Sequence, residues 1–259
     1  MLGAIAGDII GSVHEFRQEK TVDFPLFAEG SRFTDDTVLT IAVAECLLTD
    51  VPYVDKFHEY TREYPDRCYG LRFWRWVESG FREPYNSWGN GAAMRVSPVG
   101  FARPTLEEVL HEAKRSAEVT HDHPEGVRGA QATAASVFLA RQGESKSRIR
   151  QFIQAEFGYD LNRTVEDIRP TYSFNESCQG TVPEAIIAFL DSSDYEETVR
   201  LAISLGGDAD TLACIAGGIA EPFYGGVPED IAQLSMARLD DRLRDVVLRF
   251  SERYGGRTA

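Results

Sequence analysis

Gly206-Gly207-Asp208-Ala209-Asp210-Thr211-Leu212-Ala213-Cys214-Ile215-Ala216-Gly217-Gly218-Ile219-Ala220 joins a flexible turn to an acidic step and then to small and apolar residues at helical spacing. Glycine inside a helix costs about 1 kcal/mol relative to alanine. Gly217 and Gly218, within a helix expected over Thr211 to Pro222, therefore imply that another backbone or a ligand comes close. A second expected helix, Glu125 to Arg141, has the same character through Gly129, Ala130, Ala132, Ala134 and Ala135. These two helices are expected at the centre of the fold.

Outward from them, helical periodicity dominates, and no alternation of apolar and polar residues is long enough for a sheet. Helices are predicted over Asp36 to Leu48, Tyr53 to Glu63, Leu71 to Glu78, Ala92 to Val96, Thr105 to Glu118, Lys146 to Phe157, Pro183 to Leu190, Tyr195 to Leu205, Pro228 to Ser235 and Leu239 to Tyr254. Thr105 followed by Glu108 forms a capping-box pattern, with Pro104 marking the boundary. The expected architecture is all-α, a compact multi-helix orthogonal bundle. No Pro/Gly/Ser-rich linker divides the chain, so residues 1–259 are expected to form a single domain.

Composition narrows the function. The hydrophobic fraction of 43% with 26% charged residues is that of a globular protein with a full core. The net charge of -14 makes nucleic acid an unlikely partner, because a grip on its backbone would work against the global field. The richest basic stretch, Arg67 to Arg82, is interleaved with Phe73, Trp74, Trp76 and Phe81 and reads as an amphipathic helix with its arginines in water. Cys46, Cys68, Cys178 and Cys214 are scattered with no C-x-x-C pair, as expected of reduced thiols in a cytoplasmic protein. The apolar start, Met1 to Gly7, lacks a cationic leader and is interrupted by Asp8; no stretch reaches the apolar length that spans a bilayer. No membrane partner is expected, and a monomer is the default.

The chemistry is concentrated in two acidic clusters, Thr34-Asp35-Asp36-Thr37 and Asp208-Ala209-Asp210-Thr211. Packed carboxylates repel one another and resist leaving water, so four of them brought together imply a compensating cation. Thr34 is a natural N-cap for the helix that follows, and a helix dipole accounts for one acid in the first turn better than for two. Gly206 and Gly207 allow a sharp turn that aims Asp208 and Asp210 at one centre if that turn is not helical. Carboxylates and threonine hydroxyls, with no cysteine or paired histidine nearby, favour Mg²⁺ or Mn²⁺ over Zn²⁺, and two such ions account for the number of acids. Between the clusters, Ser87-Trp88-Gly89-Asn90-Gly91 is a turn whose free N–H groups suit a diphosphate. His121-Asp122 also invites comparison with metal-dependent His-Asp phosphohydrolases, although His14, His58 and His111 lack the further ligand pattern.

An ordered series of segments resembles the ADP-ribosylglycohydrolase family, which includes the dinitrogenase-reductase-activating glycohydrolases and the ADP-ribosyl-serine hydrolases. It runs from Gly3-Ala4-Ile5-Ala6-Gly7-Asp8-Ile9-Ile10-Gly11-Ser12 with Glu15, through Thr34 to Thr37, Tyr69-Gly70, Trp88 to Arg95 and Thr120 to Pro124, to Gly206 through Thr211. The resemblance implies an all-α fold of that type. It implies a binuclear Mg²⁺ or Mn²⁺ centre and cleavage of the N- or O-glycosidic bond at the distal ribose of ADP-ribose, with ADP-ribose or an ADP-ribosylated protein as partner. Carried over by position, Thr34, Asp35, Asp36, Asp208, Asp210 and Thr211 match metal ligands, and Glu15, Asp35, Asp36 and Asp208 match the catalytic acids. Gly70, Ser87, Trp88, Asn90, Gly91, Met94, His121, Ser177 and Cys178 match substrate-side positions. Asp8 is left outside the site, as a residue that caps or anchors the N-terminal turn. Ala209 departs from the Thr or Ser often found in the second metal motif. A hydrolase of another ADP-ribosyl-like or nucleoside glycoside, and a catalytically silent relative that binds ADP-ribose, are the competing expectations.

Overall fold

Side chains that can satisfy free N–H groups mark where the helices start. Thr105 and Thr164 close capping boxes with Glu108 and Asp167, and Ser145, Ser177, Asp194 and Asp240 cap four further helices. In the structure, a computed structural model describing residues 1–255, the helices run in order α1 Leu2–Gly11, α2 Asp35–Thr49, α3 Tyr53–Glu63, α4 Leu71–Glu78, α5 Gly91–Met94, α6 Ser97–Ala102, α7 Leu106–Glu118 and α8 Pro124–Arg141. They continue as α9 Lys146–Phe157, α10 Val165–Ile168, α11 Cys178–Asp191, α12 Tyr195–Ser204, α13 Ala209–Tyr224, α14 Glu229–Met236 and α15 Asp241–Tyr254. No strand forms among the described residues; one isolated bridge pairs Gly89 with Ser177.

Most predicted helices lie within a residue or two of those observed, and the differences have physical causes. α11 starts at Cys178, five residues before Pro183, because Ser177 caps it by accepting from the Gly180 N–H; Pro183 then sits inside the helix. α13 starts at Ala209 rather than Thr211, with Asp208 in the N-cap position at φ −72° and ψ 80°. Asp208 is therefore outside the helix and Asp210 inside its first turn. The expected helix Ala92 to Val96 is the one-turn α5, followed directly by α6.

α1 was not predicted, yet it sets the centre of the molecule. It is buried from Gly3 to Gly11 and packs antiparallel along α13, which is buried from Ala209 to Ala220. A Cβ on Gly3 would overlap the Gly217 backbone, one on Gly7 the Ala213 carbonyl, and one on Gly11 would lie 2.6 Å from the Ala209 carbonyl oxygen. Glycine every fourth residue is thus what lets the two backbones meet. α8 uses the same device: a Cβ on Gly129 would overlap Cys178 at the start of α11, while α8 also packs against α13. The N-terminal ammonium closes the seam by pairing with Glu221. The Arg67 to Arg82 stretch forms α4, with Phe73, Trp76 and Val77 buried and Arg75 in water.

Candidate active site

The seam delivers Asp8 to the start of α2. Its carboxylate accepts from the Thr34 N–H (2.9 Å), the Thr34 hydroxyl (2.7 Å), the Thr37 N–H (3.2 Å) and the Thr37 hydroxyl. One buried acid of α1 therefore anchors the first turn of α2, which carries Asp35 and Asp36. Thr34 also accepts from the Asp36 N–H, so its hydroxyl is bonded on both sides, and it does not line the cavity. The Asp35 N–H is held by the Arg67 carbonyl at 2.7 Å.

The other end of the seam presents the second cluster. Gly206, at φ +66°, makes the turn ahead of Asp208, and a Cβ there would crowd the Glu19 carbonyl. Asn90 fixes Asp208 by donating to its Oδ2 at 2.7 Å, while also donating to the Thr181 hydroxyl at 3.2 Å. Asp210 Oδ1 accepts from the Thr211 N–H at 2.9 Å. The Thr211 hydroxyl reaches Asp36 Oδ2 at 3.4 Å, so the two clusters, far apart in sequence, meet. Glu15, Asp208 and Asp210 place carboxylate oxygens within 4.8 Å of one another.

These acids face a cavity of about 300 Å³, large enough for a small-molecule ligand. Its walls include Glu15, Asp35, Asp36, Asp208, Asp210 and Thr211 on one side, and Ser87, Gly89, Asn90, Gly91, Met94 and His121 on the other. Gly70 and Arg72 at α4, and Phe174 and Glu176 ahead of α11, form the rim. Trp88, Ser177 and Cys178 do not line it. Trp88 is half exposed, with its ring 5.6 Å from that of His123. Ser177 caps α11, and the buried Cys178 thiol donates to the Gly89 carbonyl, its pKa pushed up to about 12 by burial. His121-Asp122 is no metal pair: Asp122 accepts from the Asn86 N–H at 2.7 Å, and His121 Nδ1 meets the Thr120 hydroxyl.

Electrostatics single out the acids. Burial first, and then the neighbouring carboxylates, push the pKa values of Asp35, Asp36 and Asp210 well above the usual range. Glu15 is raised to about 7 by burial and by Asp208, Asp8 and Glu176, against a smaller pull from Arg32. Asp36 Oδ1 is buried without a hydrogen-bond partner among the described residues. A divalent cation fits this donor set: hard oxygen ligands, excess negative charge and an orphaned carboxylate oxygen.

The family model for ADP-ribosylglycohydrolase matches residues 1–258. The chain belongs to the ADP-ribosylglycohydrolase family. Among relatives of this hydrolase family, ADP-ribosylhydrolase ARH3 from Bos taurus is 30% identical over 90% of this chain and 86% of its own length. The Homo sapiens ARH3 is 29% identical, over 90% of this chain and 87% of its own length. ADP-ribosylarginine hydrolase Tri1 from Pseudomonas putida (strain GB-1) is 24% identical over 89% of this chain and 71% of its own length. A solved ADP-ribosylglycohydrolase-related protein complex contains a chain that superimposes with a TM-score of 0.72 at 26% identity, covering 98% of this chain and 97% of that one. The all-α fold of the ADP-ribosylglycohydrolase family is therefore that of this protein. No helix among the described residues is long and apolar enough to cross a membrane.

Asp8 is the functional-site neighbour that sequence reasoning set aside. It contributes no cavity wall, yet it builds the turn that presents Asp35 and Asp36; the signal was a lone acid inside an apolar, glycine-spaced run. Arg72, expected in water with the other arginines of the Arg67 to Arg82 stretch, instead lines the cavity.

Proposed function

We propose that the protein is a metal-dependent ADP-ribosylhydrolase that cleaves the glycosidic bond between the distal ribose of ADP-ribose and a modified protein side chain or related conjugate. The observation that carries this reading is the meeting of the two acid clusters at one cavity, with Asp36 Oδ1 buried and without a hydrogen-bond partner among the described residues. Asp35, Asp36, Asp208, Asp210 and Thr211 would hold two Mg²⁺ or Mn²⁺ ions, with Thr34 bracing the first of these from the α2 cap. When bound, such ions supply charge stabilisation and a water acidic enough to attack near neutral pH.

The chain's own groups do the rest. The Ser87–Gly91 turn takes the diphosphate side of the ligand, and Asn90 holds Asp208 in its cavity-facing orientation. Glu15 stands beside Asp208 and Asp210 with a pKa raised to about 7, so its carboxyl can both carry and release a proton at neutral pH. It serves as the general acid and base of the glycosidic cleavage. Ala209 is buried in the first turn of α13, between the two acids that face the cavity. We read the protein as a cytoplasmic, monomeric single-domain enzyme, a setting consistent with its four unpaired cysteines.

The test is release of free ADP-ribose from arginine- and serine-linked ADP-ribosyl substrates in Mg²⁺, Mn²⁺ or EDTA. Release with either ion and none in EDTA is expected. Tight ADP-ribose binding without turnover on any conjugate would assign the protein instead to the silent, ligand-binding relatives, and turnover of other nucleoside glycosides alone to the second hydrolase reading.

A further inference from the structure

Behind the Gly89–Gly91 turn, a chain of hydrogen bonds runs through groups that the reaction described above does not use. Arg95 is fully buried; its guanidinium carbon lies 4.1 Å from the Phe57 ring centroid, and no carboxylate pairs with it among the described residues. Its Nη2 donates to the Ser116 carbonyl at 3.0 Å and to the Thr120 hydroxyl at 2.9 Å. The Thr120 oxygen lies 2.7 Å from His121 Nδ1.

A guanidinium only donates, so Thr120 must accept from Arg95. The single hydroxyl proton of Thr120 then has one acceptor among the described residues, His121 Nδ1. With Nδ1 accepting, the proton of a neutral ring resides on Nε2. Nε2 has no protein partner among the described residues and faces the glycine turn. A Cβ on Gly91 would lie 3.3 Å from it and one on Gly89 3.6 Å. The opposite tautomer would leave the buried Thr120 proton without an acceptor, a penalty of about 1–3 kcal/mol.

We propose that Arg95 and Thr120 are positioning residues that hold His121 as the neutral Nε2–H tautomer, so that the cavity wall offers a hydrogen-bond donor to an oxygen of the bound ligand. Around the ring stand Arg95 behind it, Arg72 at the rim and the Tyr85 ring 6.1 Å away, and the site carboxylates and Glu176 line the same cavity. Burial, then Arg95 and Arg72, push the His121 pKa well below its ordinary value, in keeping with a neutral ring. The ligand half of this inference rests on the cavity being an ADP-ribose site, whereas the tautomer does not.

The experiment is two-bond ¹H–¹⁵N correlation of the free, full-length protein labelled at its five histidines, from pH 6 to 8, with His121 assigned by its loss in His121→Asn. The wild type should show an unprotonated Nδ1 and a protonated Nε2 throughout. Thr120→Val should lose this pattern and bind ADP-ribose about tenfold more weakly, the loss of roughly one hydrogen bond. Thr120→Ser should restore both. An Nδ1–H tautomer or an imidazolium in the wild type overturns the proposal, as does a Thr120→Val spectrum unchanged at His121. Should Thr120→Val fail to fold, the wild-type and Thr120→Ser spectra decide. The expected wild-type pattern with no ADP-ribose binding upholds the relay and overturns the reading of the cavity.

Discussion

α1 and α13 build two regions of opposite character. Along their length, Gly3, Gly7 and Gly11 face Gly217, Ala213 and Ala209, and small residues bring two backbones together, with charge only at the far end, where the Met1 ammonium pairs with Glu221. Where the same helices point Asp8 and Asp210 toward α2, carboxylates crowd together in a site that burial and repulsion make unfavourable without a counter-ion. The difference teaches that the seam supplies the rigidity and the acid end spends it: close packing holds groups that would otherwise move apart. Stability and activity should therefore respond to different residues of the same helix pair.

The largest separation is expected at the acid end. Asp36→Asn and Asp210→Asn should each lower kcat/KM for ADP-ribose release by about a thousandfold or more, with weakened Mg²⁺ binding. Neither should lower the melting temperature of the EDTA-treated protein, because each removes a desolvated charge. Full activity in either variant would break the assignment of these acids. Glu15→Gln should reduce kcat by about a hundredfold while leaving the affinities for Mn²⁺ and ADP-ribose within a few-fold, as expected for a group that moves a proton without holding the ligand.

The seam should behave in reverse. Gly217→Ala drives a Cβ into the Gly3 backbone and should cost about 1–3 kcal/mol in urea unfolding, with kcat/KM of the folded protein nearly unchanged. A loss of activity without loss of stability would show that the two regions are not separable in this way.

A smaller effect is expected with pH. Glu15 has an ordinary value of 4.5 and a folded value of about 7, so the folded state binds its proton more tightly than the unfolded chain. Its contribution to stability is present below pH 4.5 and is lost as pH rises through 7. The melting temperature of the EDTA-treated protein should fall from pH 5 to pH 8 more steeply than that of Glu15→Gln, and Mg²⁺ should flatten the slope by stabilising the ionised acids. An identical slope in the variant would remove Glu15 as the cause.

Much of this was legible in the chain because it depended on local signals. Thr105 with Glu108 marked the start of α7, and the small residues of α8 and α13 announced close approach, borne out at Gly129 and Gly217. The meeting of the Asp/Thr clusters followed from the chemistry of the acids, and the structure brings Asp36 and Thr211 together. α1 was hidden because it is buried on all sides: with no polar face there is no helical periodicity to read, and its glycines resembled punctuation rather than packing. The start of α11 was displaced because Pro183 looked like a beginning, whereas the cap is Ser177. Partners such as Asn90 to Asp208, or Arg95 to Thr120, join residues whose meeting depends on how helices pack, which no spacing in the sequence encodes.

The central claim is that the two acid clusters form one cation site, and anomalous diffraction from crystals grown with Mn²⁺ tests it most directly. The account predicts two Mn²⁺ peaks in the cavity, within ligand distance of Asp35, Asp36, Asp208, Asp210 and Thr211. An ordered cavity with no anomalous peak at saturating Mn²⁺ would contradict it.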